Sequence, residues 1–299
     1  MEQMAHHVLA ILNQPSADAP PHVVGASPYA FVDPSIPQLS VLDLGATRGD
    51  GVFETISVGN GRAHALEHHL RRFVASAQKL DLPAPDVDVW REAVLAAITA
   101  LQPGAESSVK TVLTRGIEGA GRPTGWVYAA HSADFTLART EGVRVVTLDR
   151  GYRHDVETTS PWLLAGAKTL SYAINRAAVR EAHRRGADDV IFISSDGYVL
   201  EGATSTVIYR VGDRLLTTGG GHGTLDGTTQ ANVFRYAQSQ SLSTGFELAN
   251  ASRLRGADAA WLVSSVRLAA PVRELDGHPF AVDHDFTAGL NAYLLALRD

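Results

Sequence analysis

GAKTLSYAINRAAVREAHRRGADDVIFISSDGYVLEGATSTV, residues 166–207, is the stretch whose reading decides the fold. Helical spacing begins near Tyr172, runs to Arg185 and ends at Gly186, a residue suited to the left-handed turn that closes helices. The β-rich run DVIFIS follows, then the turn Ser195-Asp196-Gly197 and a second strand, YVLEG. Ahead of the helix, in the apolar run PWLLAGAKTLSYAIN, stands Lys168. It is one of only three lysines (Lys79, Lys110 and Lys168) among 26 Lys plus Arg, in a chain that otherwise chooses arginine. A Schiff base to a carbonyl requires a primary amine whose proton can be removed; a guanidinium forms none and stays charged. The alternative at this position is a surface lysine whose stem lies on apolar neighbours.

Working outward, the pattern GVFETISVGNGRAHAL from Gly51 predicts a strand, an Asn60-Gly61 hairpin turn and a returning strand. Leu66, Leu70, Phe73, Val74, Ala77 and Leu80 recur at helical spacing, and the helix should stop before Pro83. A second helix is expected from Val87 to Leu101, then strands SVKTVLTRG and GWVYAAHS around the loop IEGAGRPTG. The polar residues 138–142 mark a domain boundary, so the expected domains are 1–139, a smaller α+β unit, and 140–299. Residues 1–40, with six prolines among them, are expected to be an extended arm. Beyond the central stretch come a strand ending near Leu216, the loop TTGGGHGTLDG, a helix TTQANVFRYAQSQ, a strand AAWLVSS and a terminal helix.

Composition narrows the function. With 299 residues, 45% of them hydrophobic, the chain can bury a sizeable core. Net charge is −6 and the arginines are dispersed, which disfavours nucleic acid as a partner. No run of 18 apolar residues suggests a membrane span. The absence of cysteine removes thiolate catalysis and disulfides, in keeping with the cytoplasm. Twelve histidines lack metal-ligand spacing, so no metal site is expected.

The series of lysine, helix, glycine, strand, turn, strand and glutamate resembles the fold-type IV pyridoxal-phosphate enzymes, the class IV aminotransferase family. The likeness runs from ATRGDGVFET to AAPVRELDG. It implies two α/β domains, an α+β chain of the branched-chain or D-amino-acid aminotransferase type, with the cofactor site between them. It further implies pyridoxal 5'-phosphate bound at Lys168, which also carries the substrate proton, and a homodimer. Glu201, 33 residues on, would face the pyridine nitrogen and keep it protonated; by itself it reads as a solvated strand-end glutamate. Gly227, Thr228 and Thr229 open a helix where amides and the helix dipole favour a phosphate, although the run alone also fits a glycine turn with a threonine cap. Here Thr228 and Gln230 replace the isoleucine and arginine of the family's Gly-Ile-Thr-Arg pattern. Arg72, in HHLRRF, falls on the phosphate-binding arginine, with Arg71 one residue away, and Ser265 falls on a phosphate-binding hydroxyl that could equally cap a strand.

Tyr172 would contact the cofactor's phenolic oxygen or pack its own helix. Phe53 falls on a substrate-pocket aromatic but also suits a core. Arg48 and Arg115 are candidate carboxylate binders, with structural ion pairing as the other reading. In overall likeness the RGDGVFET, AKTLSYAIN and DGYVLEG segments most resemble aminodeoxychorismate lyases, which form 4-aminobenzoate and pyruvate for folate biosynthesis. Asn175 and the spacing from Lys168 to Gly186 also resemble the D-amino-acid aminotransferases, with branched-chain enzymes further off. A binding protein that lost catalysis is the remaining class, and retention of both Lys168 and Glu201 argues against it.

Overall fold

The computed structural model describes residues 6–14, 27–104 and 106–297. The chain divides into two compact units; the first holds the described residues up to Ala133 plus Ala167–Tyr172, and the second holds Asp134–Gly166 and Ala173–Leu297.

The first unit contains β1 (His7–Leu12), β2 (Tyr29–Val32), α1 (Leu44–Arg48), β3 (Gly51–Gly59), β4 (Arg62–Ala63), α2 (Leu66–Lys79), α3 (Val87–Ala100), β5 (Glu106–Thr114) and β6 (Thr124–His131). Its six-stranded sheet has the order β2-β1-β6-β5-β3-β4. Asn60 and Gly61 turn the β3–β4 hairpin with φ of 52° and 73°, the left-handed pair of a tight turn. Along β3, Val52, Glu54, Ile56 and Val58 are buried, and the intervening Phe53, Thr55 and Ser57 are half-buried. α2 turns Leu70, Phe73 and Ala77 inward, and Phe73 meets Trp90 of α3 edge-on at 4.8 Å between ring centres.

The second unit contains α4 (Thr136–Thr140), β7 (Val143–Asp149), α5 (Val156–Thr159), a 3-10 turn at Pro161–Leu163, α6 (Ala173–Arg184), β8 (Asp189–Ile193), β9 (Val199–Gly202), β10 (Thr206–Val211) and β11 (Arg214–Thr217). It continues with α7 (Gln230–Ser239), β12 (Ser243–Phe246), α8 (Ala251–Arg255), β13 (Ala259–Ser264), β14 (Leu268–Leu275), β15 (His278–Pro279) and α9 (His284–Ala296). Nine strands form one sheet, β12-β11-β10-β13-β14-β7-β8-β9, with β15 on β14. The helix, turn and two strands expected from residues 172–202 are present as α6, β8 and β9, and Gly186 ends the helix with φ of 77°.

Two expectations are revised. The contact boundary falls after Ala133 rather than Arg139, and Lys168 belongs with the N-terminal unit. The reason is hydrogen bonding: β4 pairs only with Val58 and Gly59 of β3, and Thr169 bridges Val52, so the lysine segment pairs with the opposite end of that strand. The expected arm also contains two strands. β1 pairs with both β2 and β6, inside the sheet order, because Val8, Ala10 and Leu12 alternate inward with His7, Leu9 and Ile11. Residues 1–5 and 15–26 of the arm lie outside the described residues.

Candidate functional site

In the first unit, backbone bonds hold Lys168 on both sides. Phe53 N–H donates to its carbonyl at 3.1 Å, its own N–H donates to Ser76 Oγ at 3.1 Å, and Leu170 N–H donates to Gly51 O at 2.8 Å. Its Nζ lies 4.5 Å from the centre of the Phe53 ring and 5.8 Å from that of Tyr172. Those two rings meet edge-on at 5.3 Å. Lys168, Phe53 and Tyr172 thus lie together, with the amine resting on aromatic faces.

Beside the lysine, sequence reasoning missed a buried charge. Glu54, 1% exposed, accepts from Arg72 Nε and Nη2 at 2.6 Å each and pairs with His69 Nδ1 at 2.7 Å. Burial alone raises the carboxyl's pKa, but the adjacent Arg72 guanidinium and the His69 hydrogen bond overcome it and bring it down to about 2. Burial lowers the His69 pKa against the pull of Glu54, and the charges of Arg72 and Lys168 lower it further, so the imidazole stays neutral. Arg72, expected to bind phosphate, is thus engaged by Glu54, which balances its charge. Two signals were available. Glu54 occupies an inward position of an alternating strand, and His69, Arg72 and Ser76 form a polar row at i, i+3 and i+7 of α2.

In the second unit, Glu201 stands near the end of β9 and accepts from Leu225 N–H at 3.0 Å. Two residues later, Gly227 begins the entry to α7; a β-carbon there would lie 2.3 Å from Thr206 Oγ1 and force that side chain to move. Thr228 Oγ1 lies 3.0 Å from Ser265 Oγ, which brings those two proposed phosphate ligands together, and Thr229 stands at the head of α7 without a side-chain cap. Asn175 Nδ2 donates to Ala203 O at 2.7 Å, steadying the chain just past Glu201. Tyr152 donates to Gly223 O at 3.3 Å; burial raises its pKa, and the Glu201 charge adds to that rise.

The two arginines proposed for substrate carboxylates diverge. Arg48 ends α1 with its side chain exposed. Arg115 donates to both Asp50 oxygens, at 2.6 and 3.2 Å, and to the carbonyls of Leu80 and Asp81. That guanidinium ties the end of β5 to the loop after α2, an engagement that favours structural ion pairing over carboxylate binding for Arg115.

The amino-transferase class IV family matches residues 51–275. This chain belongs to that family. It is 43% identical, over 83% of its length and 89% of the relative's, to the bifunctional aminodeoxychorismate lyase / D-amino acid transaminase of Mycobacterium tuberculosis. A fold IV-transaminase from Curtobacterium pusillum superposes with a TM-score of 0.94 at 53% identity, covering 98% of each chain. A PLP-bound form of a hypothetical aminotransferase from Mycobacterium tuberculosis has a TM-score of 0.84 at 41% identity, over 89% of this chain and 96% of that one.

The family is pyridoxal-phosphate-dependent, and the residues here fit that group. Lys168 offers an amine on an aromatic surface. The loop whose Leu225 N–H binds the Glu201 carboxylate of β9 leads within two residues into the amides and hydroxyls at the head of α7, which make an anion cradle. Among the described residues there is no group of three or more metal-ligating side chains, and no helix long and apolar enough to cross a membrane.

Proposed function

We propose that the chain is a pyridoxal-phosphate-dependent aminodeoxychorismate lyase, converting 4-amino-4-deoxychorismate to 4-aminobenzoate and pyruvate for folate biosynthesis, as a cytoplasmic homodimer. The observation that carries this reading is Lys168 fixed against Phe53 and Tyr172 in a chain so similar to a relative bearing that activity in its name. When bound, pyridoxal phosphate supplies an electron-withdrawing ring that stabilises negative charge developing at the substrate carbon.

The chain's own residues do the rest. Lys168 Nζ holds the cofactor, then removes the substrate's ring proton and delivers it to the three-carbon fragment that leaves as pyruvate. The faces of Phe53 and Tyr172 accept the ammonium through their quadrupoles and its neutral form by dispersion, so this seat suits the lysine in either charge state. Glu201 maintains the proton on the ring nitrogen, held for that task by Leu225 N–H. Thr228, Ser265 and the amides of residues 227–229 hold the phosphate, with Arg72 supplying positive charge shared with Glu54. Tyr172 orients the cofactor's phenolic oxygen, Phe53 bounds the substrate pocket, and Arg48 is the remaining candidate for a substrate carboxylate.

A second reading, D-amino-acid transamination on the same lysine, is favoured by the other half of that relative's name and by the 53% identity to a fold IV-transaminase. One comparison separates the two. The holoenzyme is incubated with 4-amino-4-deoxychorismate alone, and separately with D-alanine plus 2-oxoglutarate. Release of 4-aminobenzoate without an added keto acid supports the lyase. Turnover of D-alanine alone overturns it in favour of the transaminase.

A further inference from the structure

Lys168 has two backbone torsions, and each of the peptide planes that flank it carries one group belonging to the lysine. The N–H sits on the plane shared with Ala167, and the carbonyl sits on the plane shared with Thr169. Phe53 N–H fixes the second plane, as one rung of the pairing that adds residues 168–170 to β3. Strand pairing does not reach the first plane, where the chain arrives from Gly166 in a left-handed conformation (φ of 74°). That plane is held from α2, by Ser76 Oγ at 3.1 Å from Lys168 N.

Ser76 is a conspicuous occupant of its position. It is 3% exposed on a helix of the N-terminal core and adjoins the buried Ala77. A serine inside a helix is inferior to alanine in propensity. Its place in the row with His69 and Arg72 puts its hydroxyl on the side of α2 that meets β3 and the lysine segment, rather than on the apolar stripe of Leu70, Phe73 and Ala77. Together the two bonds fix both φ and ψ of Lys168, and hence the direction of its Cα–Cβ bond. The amine then travels through side-chain torsions alone. That suits a group which must reach two positions in one catalytic cycle.

We propose that Ser76 is a positioning residue for Lys168, whose hydroxyl anchors the lysine's amide and so directs its amine. The proposal rests on the reading of Lys168 as the cofactor lysine. Ser76 touches neither substrate nor cofactor and acts only through the main chain at Lys168. Removing the hydroxyl frees one torsion of the lysine, so its amine samples a wider volume and spends less time aligned with the substrate proton. Binding of substrate is untouched. The expected signature is a fall in kcat without a matching change in KM, because alignment matters to the proton transfer and not to the ground-state complex.

The test compares Ser76→Ala, Ser76→Cys and Ser76→Thr. Ser76→Ala is expected to fold with a thermal midpoint at most a few degrees below that of the parent, because the better helix propensity of alanine offsets part of the lost hydrogen bond. Its kcat should fall about tenfold with KM held within about twofold, as for loss of one transition-state hydrogen-bond equivalent. The pH dependence of the visible cofactor band should shift. In the full chain freed of cofactor, hydrogen exchange at the Lys168 amide should speed up, an observation independent of turnover. Ser76→Thr, which keeps the hydroxyl, should restore kcat, the pH dependence and the exchange rate. Ser76→Cys, of similar volume with a weak acceptor, stands in if the alanine variant fails to fold, and should show the same kcat loss. A variant with faster exchange at Lys168 but unchanged kcat and pH profile overturns the proposal. So does a kcat loss that Ser76→Thr fails to repair. Failure of the underlying reading is separately visible, because Lys168→Ala would then keep the cofactor band.

Discussion

Replacing Glu54 by glutamine removes one charge from a cluster in which every member leans on it. The carboxylate is 1% exposed, takes two donors from Arg72 and one ring nitrogen from His69, and titrates at about 2 against an ordinary 4.5. That displacement corresponds to about 3 kcal/mol of stability at neutral pH. Breaking a buried ion pair by deleting one partner costs about 3–5 kcal/mol, which agrees. The sign follows from the direction: Glu54 is depressed, so its contribution is complete above 4.5 and disappears as pH falls toward 2. His69 acts in the same sense, since its lowered pKa makes the unfolded chain take up a proton first as the solution acidifies. Glu54→Gln should therefore lose about 3 kcal/mol in urea unfolding at pH 7, followed by circular dichroism and intrinsic fluorescence, and lose much less by pH 3. Glu54→Gln combined with Arg72→Gln should be less damaging than the sum of the single changes, because the second removes the orphaned charge. A Glu54→Gln protein within about 0.5 kcal/mol of the parent at pH 7, or single effects that simply add, would refute this account of the cluster.

Arg115→Ala should lower the unfolding midpoint by the equivalent of about 1–2 kcal/mol while leaving KM for either substrate unchanged, since the guanidinium serves Asp50 and two carbonyls; a KM rise with stability intact would return it to the substrate site. Thr228→Ala with Ser265→Ala should weaken pyridoxal-phosphate binding by about tenfold or more, measured by equilibrium dialysis, with folding preserved; unchanged affinity would remove the two hydroxyls from the phosphate site.

Much of the second unit was legible because its signals are local. Gly186 stops α6, the Ser195-Asp196-Gly197 turn separates β8 from β9, and Gly227 precedes α7, each where periodicity placed it. The pairing of Thr228 with Ser265 across 37 residues was legible only through the family resemblance. What stayed hidden was long-range. β1 was passed over as part of an arm because one short alternating run carries little weight without its partner β6, over a hundred residues away. The bonding of residues 168–170 to β3 could not be read from spacing, since nothing in GAKTL announces which strand has an open edge. Arg115 shows the same limit in reverse: an arginine at a strand end advertises charge, and only the fold reveals that Asp50 has already claimed it. Glu54 is legible in principle, as a carboxylate on the inward face of a strand followed by a polar row on the next helix.

The central claim is that Lys168 carries the cofactor, and the scarcity of lysine makes it directly testable. The holoenzyme is reduced with borohydride to make the cofactor–lysine linkage permanent, digested, and its modified peptide sequenced by mass spectrometry. The account predicts a phosphopyridoxyl group on Lys168 alone, with Lys79 and Lys110 unmodified. A label on either of those lysines, or no labelled lysine in protein that shows the visible cofactor band, would contradict it.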